Sequence, residues 1–157
     1  MSEQEQQRQF TIQRIYLKDV SFETPNSPEI FRTDGTPDTH LNLNTAVNHL
    51  DGDAYEVVLT LTLTTKVGDK TAYLVEVQQA GIFALAGFTD QEKAPMLGSY
   101  CPNTLFAYAR EVITDLVTKG SFPQMILQPV NFDALFMQHQ QELAKKAQQN
   151  SGTESAH

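Results

Sequence analysis

Apolar and polar side chains alternate through much of the first half of the chain. Between Tyr55 and Leu63 every second residue is apolar, and the positions between them are mostly polar. A period of two places alternate side chains on opposite faces of a β-strand. The alternation resumes from Tyr73 to Val77 after a short turn that contains Gly68. The two segments therefore predict a β-hairpin.

The segment from Phe10 to Glu23 also alternates, but its phase slips twice. Its apolar pairs are Phe10 with Ile12, Ile15 with Leu17, and Val20 with Phe22. Because a β-bulge inserts one extra residue into a strand, two bulges would explain the slips, as would a bend in one long strand. Further along, Leu41 and Leu43 indicate a shorter and weaker fourth strand.

The second half of the chain changes to helical spacing. Apolar residues recur every three or four positions over residues 105–117, with Pro102 near the first turn and Gly120 just past the end. This pattern is typical of an amphipathic helix. A second helix is predicted to begin at Asn131, a favourable N-cap. Its apolar face comprises Phe132, Leu135, Phe136, His139 and Leu143. Strands followed by helices predict an α+β fold, a four-stranded antiparallel sheet with two main helices packed on one face.

Both ends of the chain are polar and low in complexity. Residues 1–9 are mostly glutamate and glutamine, and residues 144–157 are rich in lysine, glutamine, serine and alanine. Such segments cannot bury enough apolar surface to fold alone, so we expect two disordered tails. Residues 10–143 between them form one predicted domain, which suits a chain of 157 residues.

Charge and cysteine content narrow the classes of function. The net charge is −8 and the isoelectric point is near 4.8, with no basic run to bind phosphates, so nucleic acid is not an expected partner. No apolar stretch is long enough to insert into a membrane. A single cysteine, Cys101, cannot pair within the chain. Together with a polar amino terminus that lacks the order of a signal peptide, this favours the cytoplasm.

The sequence contains no pattern that predicts catalysis. It has no glycine-rich phosphate loop, and its four histidines lack the spacing of metal ligands. We therefore expect no enzymatic activity, no cofactor and no metal site. Cys101 lies at a predicted helix start, where thiol pKa values can fall. A small apolar residue at a helix boundary is the favoured interpretation of this cysteine.

Two surfaces remain as candidates for function. If Val75 and Val77 face the helices, an acidic set of side chains faces the other side of the sheet: Asp19, Glu23, Leu74 and Glu76. This side is either an ordinary solvated face or a dock for a basic protein segment. The loop over residues 120–130 supplies apolar side chains, and the next helix adds more. Such a set exceeds what a small domain readily buries, so part of it should line a subunit interface or an adaptable groove.

Four segments, in order along the chain, read FTIQRIYLKDVSFETPNSP, AYLVEVQQAGIF, YCPNTLFAYAREVI and GSFPQMILQPVNFDALF. Together they resemble the SecB family of bacterial protein-export chaperones over residues 10–143. The resemblance implies an ATP-independent holding chaperone of the cytoplasm. Such a protein is a homotetramer built as a dimer of dimers. It keeps precursor proteins unfolded and delivers them to the SecA motor for export.

The resemblance also assigns residues to these roles. Asp19, Glu23, Leu74 and Glu76 match the positions through which the family binds SecA. The implied client-binding residues are Phe31, Leu41, Leu43, Tyr108 and Phe136, with Phe122, Met125 and Leu127 of the loop as a nearby apolar wall. The helix over residues 103–118 would help to join the two dimers. Gly35 stands where many members carry tryptophan, so this part of the groove wall should be more open.

Two other classes of function are compatible with the residues themselves. An oligomeric adaptor would bind only folded partners, through the acidic sheet face. A small-molecule enzyme or carrier would use the apolar cavity, and it would need convergent polar groups there.

Overall fold

Four strands precede three α-helices in the computed structural model, which describes residues 7–154. The strands are β1 (Gln9–Glu23), β2 (Pro37–His49), β3 (Ala54–Val67) and β4 (Lys70–Ala86), with a 3₁₀ turn at Glu29–Arg32 between β1 and β2. The helices are α1 (Asp90–Pro95), a π-helical turn (Met96–Tyr100), α2 (Cys101–Lys119) and α3 (Phe132–Glu154). The predicted α+β fold is confirmed.

The strands form one antiparallel sheet in the order β1-β4-β3-β2. The predicted hairpin is β3 with β4, and its register places Leu63 opposite Val75. The fourth strand is longer than Leu41 and Leu43 indicated, since β2 pairs with β3 from Pro37 to His49. Its polar residues do not predict a strand, but pairing with a well-formed neighbour stabilises one.

Both phase slips in β1 are β-bulges. The register with β4 shifts between Ile12 and Arg14 and again between Leu17 and Asp19. Each shift adds one residue to β1 and returns the apolar side chains to the same face of the sheet. The first of the two explanations for the slips is therefore confirmed.

The core lies between the sheet and α2. Leu59 and Leu61 of β3 and Val75 and Val77 of β4 are fully buried. Helix α2 packs against these two strands, and its buried stripe lies at helical spacing: Leu105, Ala109, Ile113 and Val117. Burying each large aliphatic side chain of this layer contributes about 1.5–3 kcal/mol. We call the α2-covered side of the sheet the inner face and the opposite side the outer face.

The segment before α2 was not predicted to be helical. Thr89 caps α1, because its Oγ1 accepts a hydrogen bond from the Glu92 amide at 3.2 Å. The chain then passes through the π-helical turn directly into α2. Pro95 and Gly98 interrupt the apolar periodicity here, so the sequence pattern does not predict a helix over this segment.

Helix α3 begins as predicted but ends later. Asn131 is its N-cap, with Oδ1 accepting from the Ala134 amide at 3.0 Å. The helix continues through Glu154, past residue 144 where the predicted tail begins. Apolar periodicity ends at Leu143, whereas alanine, lysine and glutamine beyond it favour the helix without burial. Residues 1–6 and 155–157 of the two predicted tails lie outside the described part of the chain.

Candidate functional site: an apolar trough and an acidic sheet face

The outer face of the sheet brings the four acidic-set residues together. Asp19 pairs with Gln78, and Glu23 pairs with Leu74. Directly paired residues of an antiparallel sheet point to the same side. Because Val75 and Val77 are buried on the inner face, Leu74 and Glu76 lie on the outer face with Asp19 and Glu23. The predicted face is confirmed, whereas its role in docking stays a prediction.

A polar cluster on β1, β2 and β3 also lies on the outer face. Glu56 of β3 accepts hydrogen bonds from the Tyr16 hydroxyl, from Lys18 Nζ at 3.0 and 3.1 Å, and from Asn48 Nδ2 at 3.0 Å. The hydrogen bond from Tyr16, followed by those from Asn48 and Lys18, lowers the pKa of Glu56 to about 2. Burial, followed by the interactions with Glu56, raises the pKa of Tyr16 to about 12. We call these four residues the Glu56 cluster.

The sequence did not reveal the Glu56 cluster. Its members come from three strands, β1, β2 and β3, and only the sheet register brings them together. The alternation of Tyr16 and Lys18 along β1 offered no sign of a shared partner, because the bulge between Leu17 and Asp19 disturbs the phase at that point.

On the inner face, a cleft of about 540 Å³ opens between the 3₁₀ turn, β2 and the loop after α2. Its aromatic wall is a chain of rings. Phe31 lies 5.2 Å from Phe122, centroid to centroid, and Phe122 lies 4.8 Å from Tyr73. Met125 lines the same cleft and accepts a weak hydrogen bond from the Tyr73 hydroxyl at 3.8 Å. Phe31 is half exposed, so this aromatic cleft is open to solvent.

A second cleft of about 410 Å³ lies between β2 and the start of α3. Leu43 and Val47 form its strand wall, and Leu97 of the π-helical turn and Phe136 of α3 form the helical wall. The lining is mostly apolar, with Thr45 on the strand wall and Gln140 on the helical wall as polar members. His139, which was predicted on the apolar face of α3, stands at the exposed rim.

The two clefts lie along the same strand. Alternate residues of β2 share the inner face, so Thr39 in the first cleft, Leu41, and Leu43 in the second form one row. Leu41 is 39% exposed between the clefts. From Pro37 to Val47 the strand spans roughly 34 Å. We call this apolar row with its two clefts the β2 trough.

Most of the predicted client-binding residues meet in the β2 trough. Phe31, Phe122 and Met125 line the first cleft, Leu43 and Phe136 line the second, and Leu41 lies between them. The trough also includes residues that were missed, among them Thr39, Val47 and Leu97. The two-residue alternation of β2 was the available signal for the first two. Gly35 lines the first cleft, where a Cβ would lie 2.9 Å from Val67 Cγ1.

Two of the predicted client-binding residues lie elsewhere. Leu127 is only 6% exposed and belongs to the hydrophobic core, which corrects its assignment to the groove wall. The loop turns inward at this residue, and the apolar side chain is buried under it. Tyr108 is exposed on α2, among the residues of neither cleft. It lies off the buried stripe that Leu105 and Ala109 define.

The described part of the chain, residues 7–154, offers neither a metal site nor a membrane-spanning helix. No group of three or more histidine, cysteine, aspartate or glutamate side chains could hold a metal ion in this part of the chain. Among the same residues, no helix combines the length and apolar character needed to cross a membrane. Cys101 is fully buried, and burial raises the pKa of its thiol to about 12. This agrees with its favoured interpretation as a small apolar residue.

Comparison with known proteins places these features in a family. The family model described as "Preprotein translocase subunit SecB" matches residues 3–143. Two relatives carry the name "Protein-export protein SecB". The one from Methylococcus capsulatus is 56% identical over 150 residues, 94% of this chain and 97% of the relative. The one from Hydrogenovibrio crunogenus is 52% identical over 149 residues, 95% of this chain and 100% of the relative.

A solved structure has a similar fold. It is a SecB-like chaperone of Mycobacterium tuberculosis in complex with a ChAD peptide from the HigA1 antitoxin. The TM-score is 0.65 and the sequence identity is 18%, and the match covers 77% of this chain and 90% of the other. At this level of identity the likeness concerns the fold alone.

Proposed function

This chain belongs to the SecB family of protein-export chaperones, and we propose that it holds unfolded precursor proteins in the β2 trough and delivers them to SecA. It would act in the cytoplasm, without ATP and without a cofactor. The observation that carries the proposal is the β2 trough, an open and largely apolar row that includes two clefts on the inner face.

The geometry of the trough suits an unfolded client. Its length of roughly 34 Å would accept about ten residues of extended chain. A client in this conformation presents alternate side chains to one side, so an aromatic residue could enter the first cleft while aliphatic residues cover Leu41 and Leu43. Rings and thioethers, such as those of Phe122 and Met125, accommodate side chains of varied shape. The trough thus favours apolar character in a client over a particular sequence.

Holding is a shift in equilibrium rather than a reaction. A chaperone that binds only the unfolded client stabilises that state by RT ln(1 + [L]/Kd), about 2.7 kcal/mol at 100-fold above Kd. This is a large part of the free energy of unfolding of a typical domain. A long client that binds several troughs of one oligomer gains further, because each additional contact is intramolecular.

We propose a homotetramer, a dimer of dimers, as the working assembly. Three apolar side chains of the edge strand β1 support it: Ile12, Leu17 and Val20 are each at least 40% exposed. Tyr108 of α2 is 47% exposed. An edge strand with exposed apolar side chains is a ready surface for pairing, and α2 would contribute to joining the dimers.

We propose the acidic part of the outer face as the SecA dock. Asp19 and Glu23 are exposed carboxylates, and Leu74 and Glu76 are half buried beside them. Carboxylates around an apolar anchor complement a basic protein surface. The outer face is opposite the trough, so client and SecA could bind at the same time.

A pair of variants tests both surfaces. Leu41→Arg introduces a charge into the trough, and we expect at least a tenfold loss in suppression of aggregation of an unfolded precursor, with SecA binding unchanged, because a charge in an apolar site costs several kcal/mol. Glu76→Lys should weaken SecA binding by about tenfold and preserve suppression. Light scattering measures the first activity and titration calorimetry with purified SecA measures the second.

Leu50→Arg is the matched control. Leu50 is 48% exposed and follows β2, but it lines neither cleft, so its charge should leave suppression within about twofold of wild type. Full suppression by Leu41→Arg would refute client binding in the trough. A variant that loses both activities would indicate misfolding, which circular dichroism would show.

A further inference from the structure

Lys18 lies at the boundary between the Glu56 cluster and the acidic set. It is the extra residue of the second β-bulge, since Leu17 pairs with Gln79 and Asp19 pairs with the next residue, Gln78. Asp19 lies on the outer face. Lys18 reaches Glu56 on that same face. Because of the bulge, the side chains of Lys18 and Asp19 lie on the same face of the sheet, although the two residues are adjacent in sequence.

The bulge is held from both sides of the sheet. On the inner face, Gln79 is 4% exposed, and its Nε2 donates to the Tyr16 carbonyl at 3.1 Å. On the outer face, the Tyr16 hydroxyl and Lys18 Nζ both donate to Glu56. The residues on either side of Leu17 are thus tied to β3 and β4, and the ammonium group of Lys18 has a defined position.

That position keeps the ammonium group of Lys18 away from the carboxylates of the acidic set. Its Nζ lies 3.0 Å from Glu56 Oε2, and the Glu56 side chain is only 12% exposed. A partly buried carboxylate holds a lysine more firmly than an exposed one, because water screens the pair less. If Glu56 were uncharged, Lys18 would be free to approach its neighbour Asp19. It would then offset one of the three carboxylates that face the partner.

We propose that Glu56 is a positioning residue for docking on the outer face: it holds Lys18 at the bulge, and this keeps the charge of Asp19 available to a basic partner. The inference rests on the proposed docking of SecA at Asp19, Glu23, Leu74 and Glu76. It adds a residue that does not touch the partner.

The test compares SecA binding by three variants of the full chain at low ionic strength. Glu56→Gln removes the charge that holds Lys18, and we expect affinity to fall by about three- to tenfold. Glu56→Gln with Lys18→Gln removes the released cation as well, so affinity should return to within about twofold of wild type. The loss in the single variant should shrink at high salt, where exposed charges are screened.

Glu92→Gln is the control for net charge. It makes the same change in charge and releases Arg8, whose Nη1 lies 3.1 Å from Glu92 Oε2 beyond the amino-terminal end of β1. Its SecA affinity should stay within about twofold of wild type. Suppression of client aggregation and the thermal midpoint of each variant report whether the fold is intact.

The results distinguish a failure of the proposed role of Glu56 from a failure of the proposed SecA dock. Unchanged affinity in Glu56→Gln, together with weakened binding in Asp19→Asn, would overturn the inference and leave the dock in place. A double variant as weak as Glu56→Gln would also overturn it, because the cluster would then act through the fold alone. If Asp19→Asn and Glu76→Gln both bind SecA normally, the dock itself is misplaced and the inference fails with it.

Discussion

Gly98 lies directly against the ring of Phe136. A Cβ atom at Gly98 would stand 2.5 Å from Cδ2 of that ring and 2.8 Å from Cε2. This contact joins the π-helical turn to α3, and both residues line the second cleft of the β2 trough. Any side chain at position 98 would therefore overlap the Phe136 ring and change the width of the cleft.

Gly98→Ala should shift the start of α3 and change the second cleft. The added methyl group overlaps the Phe136 ring, and overpacking of this kind costs about 1–3 kcal/mol. We expect a lower urea midpoint and altered binding of a labelled unfolded client. Gly98→Ala with Phe136→Leu removes the overlap and should recover part of the lost stability. A single variant as stable as wild type would show that the ring moves freely and that α3 is not fixed by this contact.

The Glu56 cluster predicts a defined dependence of stability on acid. The pKa of Glu56 falls from 4.5 to about 2 on folding, so the unfolded state binds more protons between these values. The stabilisation is complete above pH 4.5 and is lost as pH falls through about 2, and it amounts to roughly 3 kcal/mol at most. Glu56→Gln should be less stable than wild type at neutral pH, with a difference that shrinks in acid. Urea unfolding at several pH values measures it, and a constant difference would contradict the assignment.

Tyr16 should resist ionisation. Burial, with a contribution from Glu56, raises its pKa from 10.0 to about 12, whereas an ordinary tyrosine is mostly ionised at about pH 11. Wild type and Tyr16→Phe should therefore show nearly equal tyrosinate absorbance at that pH. In Glu56→Gln the pKa of Tyr16 should fall only part of the way, because burial is the larger cause. Higher absorbance in wild type than in Tyr16→Phe would show that the pKa of Tyr16 is not raised in the folded protein.

Cys101 should be unreactive in the folded protein. Its thiol is fully buried and burial raises its pKa to about 12, so almost no thiolate forms at neutral pH, and thiolate is the reacting species. A thiol-specific disulfide reagent should react slowly in buffer and completely in urea. Ser121→Cys, at an exposed loop position, supplies a fast-reacting control once Cys101→Ala removes the native thiol. Rapid reaction of wild type in buffer would mean that the start of α2 opens readily.

Substitutions at Leu127 and Met125 should affect stability and client binding separately, although the two residues are only two positions apart in one loop. Leu127 is buried in the core, so Leu127→Ala should lower the free energy of unfolding by about 2–4 kcal/mol. Met125 lines the first cleft, so Met125→Ala should weaken client binding with a smaller loss of stability. Chemical unfolding and titration with a labelled unfolded client measure the two effects. The reverse pattern would restore Leu127 to the groove and place Met125 in the core.

The sequence alone determined most of the main elements and which way they face, but not the helical path before α2. Alternation along β3 and β4 fixed their hairpin, and two phase slips in β1 marked where bulges or a bend must lie, because a bulge shifts an apolar pattern by one residue. The face that carries Asp19 and Glu76 followed from the same periodicity. The resemblance of four separated segments to one family then identified that family, and it implied a client groove.

The tertiary structure decided which side chains meet. Tyr16, Asn48 and Glu56 lie on three strands, and only the register of the sheet brings them within hydrogen-bonding distance. Leu127 and Met125 look alike in sequence, and the path of one loop buries the first and leaves the second in a cleft. Periodicity is a local property of the chain, whereas these contacts depend on how distant segments are placed by packing. Local patterns therefore predict faces and elements, and only the folded chain defines the site.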